Sequence, residues 1–86
     1  MGTKMKVDIY GAGCDKFFQT VKSIRYAIQK YDIACEYNEI TDGKKIASHN
    51  ITSLPAVFIN DKLILQGEGV SVEKARDILE AVQAAG

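Results

Sequence analysis

Cys14 and its neighbours are the residues of this chain best suited to covalent chemistry. The segment reads Tyr10-Gly11-Ala12-Gly13-Cys14-Asp15-Lys16-Phe17: an apolar strand ends, two glycines turn the chain, and a thiol stands where a helix begins. The thiolate is the nucleophilic form of a cysteine, and the orphan amides and dipole of a helix N-terminus favour it. Lys16 adds to that effect and Asp15 opposes it, so the residue types leave the net balance open. The chemistry such a thiol performs is exchange with a disulfide. A dithiol cycle would carry a second cysteine three residues on, and position 17 is Phe. The alternative is a small apolar residue at a strand–helix junction; the Gly-x-Gly-Cys context in so short a chain favours the reactive reading.

Two other chemistries fit less well. Gly11-Ala12-Gly13 starts like a dinucleotide-binding turn, but the third glycine of that fingerprint would fall at position 16, which is Lys. The chain is also too short for the two-half nucleotide fold. Cys14, Cys35 and the single His49 lack zinc-ligand spacing, so no metal is expected.

The elements that must position Cys14 follow from periodicity. Lys6 to Tyr10 reads as a short buried strand in which Val7 and Ile9 alternate with Asp8. Phe17, Val21, Ile24, Ile28 and Tyr31 recur at steps of four, three, four and three, one face of a helix that meets a core. Asp32 falls just past its end, and Ala34 to Ile40 reads as a second strand. Thr41-Asp42-Gly43 supplies cap and turn residues for a short helix through about Ser48, with Asn50 able to stop it in a left-handed conformation. The apolar run Ala56 to Ile59 is a central strand, joined by a two-residue turn at Asn60-Asp61 to Lys62–Gln66. After Gly67 and Gly69, Ser71 caps a last helix that buries Val72, Ala75, Leu79 and Val82. The order β-α-β-α-β-β-α gives an α/β fold: a four-stranded mixed sheet whose first two strands are parallel, flanked by three helices.

Composition bounds the partners. Eighty-six residues make one domain, 47% hydrophobic and 26% charged, as in ordinary globular proteins. Eleven basic residues balance eleven acidic ones, which argues against a nucleic-acid binder. The apolar runs are too short for a membrane span, and Lys4, Lys6 and Asp8 interrupt any signal-peptide core. A cytoplasmic protein, monomeric or weakly dimeric, is the expectation. Residues 1–4 are read as a frayed end or a remnant of cloning, with Met5 as the natural start.

The element order, Ile9 to Cys14 at the first strand–helix junction, and Thr52-Ser53-Leu54-Pro55-Ala56-Val57 before the third strand together resemble the thioredoxin-like superfamily. The resemblance is to its small thioredoxin- and glutaredoxin-like members, the redox-active disulfide proteins of bacteria and archaea, and runs from about Met5 to Val82. It implies that Cys14 is the attacking thiol. It also implies a cis Leu54–Pro55 bond, and that Gly13, the Leu54 backbone and Pro55 hold the substrate as an added strand would be held. A trans proline that merely begins a strand is the plainer alternative. The implied partners are a protein thiol or disulfide, or glutathione as co-substrate; no other cofactor is implied.

The departure from that family pattern is Phe17. It stands where the resolving cysteine belongs, and it lies on the apolar stripe of the first helix. Cys35 cannot substitute, because parallel strands place it near the start of the second strand and Cys14 beyond the end of the first. The two functional readings are a single-cysteine exchange protein acting through Cys14 and a binding module or thiol sensor that keeps the fold without turnover. Lys16 is a candidate for a glutathione carboxylate; His49, Tyr10, Phe18 and Phe58 are assigned no role in the reaction.

Overall fold

A computed structural model describes residues 5–85, so the expectation for residues 1–4 lies outside the described residues. The chain runs β1 (Met5–Tyr10), α1 (Asp15–Lys30), β2 (Cys35–Ile40), α2 (Gly43–Ser48), β3 (Ala56–Ile59), β4 (Lys62–Gln66) and α3 (Val72–Ala85). The strands form one mixed sheet in the order β2-β1-β3-β4. β1 and β2 are parallel, with Met5 opposite Cys35 and Tyr10 opposite Ile40. β3 is antiparallel to both β1 and β4. The anticipated α/β architecture is the one observed, and all four residues of β3 are buried. The hairpin turn uses Asn60 and Asp61 with φ of 54° and 65°, the left-handed pair that matches strand twist. Among the described residues no helix is long and apolar enough to cross a membrane.

Alternation along β1 and β3 separates two cores. Val7, Ile9, Val57 and Ile59 face α1 and α3 and pack with Phe17, Ile24, Ala27, Ala75 and Leu79. On the other face Tyr10, Ala56 and Phe58 pack beneath Ile46 and Ile51, the residues of α2 and the segment after it. The first helix differs from the expected stripe at its end. Ile28 is half-buried, and Tyr31 is the C-cap, whose amide reaches back to the Ala27 carbonyl. Val72 and Val82 on α3 are likewise half-buried, because that helix rests on the sheet through Ala75 and Leu79.

Asp8 is the polar member of this buried strand and is only 3% exposed, because the second core covers its face. A buried carboxylate needs partners. It accepts a hydrogen bond from Asn38 Nδ2 at 2.9 Å and pairs with Lys6 Nζ at 3.6 Å. Lys6 is 42% exposed, so solvent weakens its share and Asn38 is the better-placed partner. Asn38→Ala should therefore lower folding stability by about 1–3 kcal/mol, the cost of stranding a buried acceptor. A urea midpoint equal to that of the parent would show that Lys6 alone satisfies Asp8.

Candidate functional site

Cys14 is the N-cap of α1, with extended backbone at φ −90° and ψ 169°. Its carbonyl accepts from the Phe18 amide at 3.1 Å, the first bond of the helix. Its side chain is exposed and makes no capping hydrogen bond, so the sulfur stands at the mouth of the helix. The turn that delivers it there needs both glycines. Gly13 has φ +75°, where side chains are strained. Gly11 donates its amide to the Ile40 carbonyl at 3.1 Å and lies directly under the Phe17 ring; a Cβ there would collide with that ring.

The second loop comes from the far side of the sheet centre. Tyr10 pairs with Ala56, so the end of β1 and the start of β3 lie side by side, and the Cys14 turn and the Leu54–Pro55 loop are brought to the same end of the sheet. The Leu54–Pro55 bond is cis and Pro55 is buried. Ladder pairing of β3 begins at Ala56, which leaves the Leu54 peptide beyond the regular sheet. The Leu54 side chain turns to the second core with Tyr10 and Phe58. Gly67 donates its amide to the Pro55 carbonyl at 2.9 Å, tying this loop to the turn after β4.

A residue that the sequence reading passed over joins that turn to the helix. Thr20 is fully buried; its hydroxyl donates to the Lys16 carbonyl at 2.8 Å and accepts from the Val70 amide at 3.3 Å. The first turn of α1 and the Gly67–Val70 segment are thus held by one hydroxyl. A signal for it existed: Thr20 lies three residues after Phe17 and one before Val21, a polar residue on the helix's apolar stripe.

Phe17 is 3% exposed and belongs to the main core. The position a resolving thiol would occupy is therefore packed with an aromatic ring. Cys35 is half-buried beside that core and stands opposite Met5, at the other end of the sheet from Cys14. The two ends of β1 are five residue steps apart, roughly 17 Å, and a disulfide needs Cα atoms within about 7 Å.

His49 is the C-cap of α2. Its Nδ1 lies 2.7 Å from the Lys45 carbonyl, which can only accept, so Nδ1 carries the proton. In the neutral ring Nε2 then accepts from the Tyr10 hydroxyl at 3.3 Å. Burial pushes the Tyr10 phenol above its ordinary range, with the Asp8 carboxylate adding to the effect, which keeps it a donor. Phe18, in contrast, is 59% exposed, one helical turn from Cys14.

This geometry can be set beside known proteins. A family model described as a thioredoxin domain matches residues 5–80. A thioredoxin of Methanothermobacter thermautotrophicus is 31% identical over 75 residues, covering 87% of this chain and 97% of its own. A thioredoxin of Methanocaldococcus jannaschii is 29% identical over 75 residues, covering 87% of this chain and 86% of its own. Among solved structures, chloroplastic thioredoxin z has a similar fold, with TM-score 0.78 at 11% identity, covering 94% of this chain and 80% of that one.

Proposed function

The chain belongs to the thioredoxin domain family, and on that premise we propose that it is a single-cysteine exchange protein whose nucleophile is Cys14. The observation that carries the proposal is the exposed thiol at the N-cap of α1, at the same end of the sheet as the Leu54–Pro55 loop. Gly13, Leu54 and Pro55 form the surface against which a disulfide-bearing segment lies, the Leu54 peptide offering a strand-like edge. The Cys14 thiolate attacks one sulfur of a mixed disulfide between a protein and glutathione. A bond forms between Cys14 and glutathione, and the protein leaves as a thiolate. A second glutathione thiolate then attacks the Cys14 adduct, releasing oxidised glutathione and restoring the free thiolate. The second attack must come from outside because Phe17 fills the internal position. Abundant small thiols, as in a cytoplasm, supply it.

A second reading, a binding module or a reversibly modified thiol sensor, is favoured by one observation, the core packing of Phe17. The two separate cleanly. With a glutathionylated peptide and no added thiol, the exchange protein should release peptide thiol and retain one glutathione on Cys14, visible by intact mass and peptide mapping. Added glutathione should then discharge it repeatedly. An adduct that added glutathione removes, without continued release of peptide thiol, identifies the sensor. Absence of any adduct would refute exchange and leave the binding module.

A further inference from the structure

The solvent side of α1 is chemically one-sided. Residues 14, 18, 22, 25 and 29 follow at steps of four, four, three and four, so Cys14 heads a stripe along the helix. Phe18, Lys22, Arg25, Tyr26 and Gln29 line a shallow trough over Val21. Phe18 and Tyr26 are 59% and 51% exposed. They stand about two helical turns apart on one trough, and exposed apolar patches of this kind mark contact surfaces. The helix carries four cations, Lys16, Lys22, Arg25 and Lys30, against the single carboxylate of Asp15. Of these, Lys22 and Arg25 line the trough and no carboxylate does, although over the whole chain eleven cations are balanced by eleven carboxylates. Among the described residues the ion pairs engage Lys6, Lys74 and Arg76, so the two cations that line the trough, Lys22 and Arg25, are in none of them. Lys30 sits 5.6 Å from the centre of the Tyr26 ring.

We propose that this face docks an acidic segment of a partner protein, with apolar anchors on Phe18 and Tyr26 and carboxylates on Lys22 and Arg25, and so leads the partner's disulfide to Cys14. The proposal rests on the exchange reading for the part played by Cys14 and deepens it by naming the partner's chemistry. Spacing sets the segment. Phe18 is one turn from Cys14, about 6 Å along the axis, and Lys22 and Arg25 are about 12 and 16 Å away. An extended chain covers those distances in about two, four and five residues. The recognised sequence therefore has an apolar residue two positions from the disulfide and acidic residues at four and five. A nucleic acid is the rival polyanion. A protein is favoured because the cations are continuous with a thiol whose reaction consumes a disulfide.

Two measurements test this. The first is equilibrium binding of a ten-residue peptide carrying Leu and two Glu at those positions, with Ser in place of its cysteine, to the Cys14→Ser protein. Amide shifts should map to Phe18, Lys22, Arg25 and Tyr26, and binding should weaken with salt. Lys22→Glu with Arg25→Glu should weaken it on the order of five- to tenfold at low salt. The second is the exchange rate of the glutathionylated peptide, relative to a small neutral disulfide, against the same peptide with Lys for Glu. The parent protein should prefer the acidic peptide on the order of five- to tenfold and the double variant should lose or invert that preference. Equal binding of the acidic and lysine peptides would overturn the proposal, as would tighter binding of an oligonucleotide of equal charge. Failure of all three disulfides to react would refute exchange, and the thiol-free binding would still decide the docking surface.

Discussion

Cys14→Ser should reduce exchange with a glutathionylated peptide to the level of buffer alone, while Cys35→Ala leaves the rate intact. A serine hydroxyl cannot form the mixed disulfide on which the cycle depends, so the loss is complete rather than partial. The fold should tolerate the change, because Cys14 is exposed and serine is among the preferred N-cap residues. Unfolding curves for parent and variant should therefore nearly coincide, which separates a lost nucleophile from a lost structure. Cys35 differs on both counts: it packs beside the main core and stands opposite Met5, at the far end of the sheet. Its removal touches packing but no reacting atom. Exchange that survives in Cys14→Ser and vanishes in Cys35→Ala would place the chemistry at the wrong end of the sheet and overturn the assignment.

Much of this arrangement was legible in the residues, for identifiable reasons. The steps of three and four from Phe17 to Ile28 can satisfy only a helix with one buried side, and the Asn60-Asp61 pair fits a turn that needs left-handed backbone. Gly11 could be read as a break, but not as the seat of the Phe17 ring, because that contact depends on where the helix lands. The partner of Asp8 was hidden for a related reason. β1 lies inside a sheet covered on both sides, so its polar residue is buried and tied to Asn38. That partner comes from another strand, thirty residues on, and no local pattern announces it. Thr20 was hidden by its own stripe: a hydroxyl among apolar positions reads as tolerance until the Val70 amide is placed against it. The trough on α1 arises from what the described residues leave uncovered, and helical periodicity alone could place Phe18 and Tyr26 on a face without saying that no other described element covers it.

Phe17→Cys should turn the external cycle into an internal one, at a cost in stability. Position 17 is three residues from Cys14 in the first turn of α1, where side chains at that spacing are neighbours about 5–6 Å apart at Cβ. That separation lies within the reach of a disulfide after small adjustment. Once Cys14 has attacked a protein disulfide, the thiolate introduced at position 17 can attack the Cys14 sulfur. The partner's second sulfur then leaves as a thiolate, and a bond joins Cys14 to position 17. A reductant added afterwards regenerates both thiols. Release of reduced partner should therefore become independent of glutathione for the first turnover, whereas the parent holds its mixed disulfide until glutathione arrives. The ring being removed is a core element, 3% exposed and packed on Gly11. Truncating a buried Phe to Ala costs about 3–5 kcal/mol, and the retained sulfur should spare a small part of that. Against roughly 5–15 kcal/mol for a domain, the variant should remain folded at a lower urea midpoint. A variant that is folded yet still waits for glutathione would show that the Cys14 turn cannot present its sulfur to position 17. Phe17 would then be part of how this site is shaped, and not merely the filling of a place left by a missing thiol.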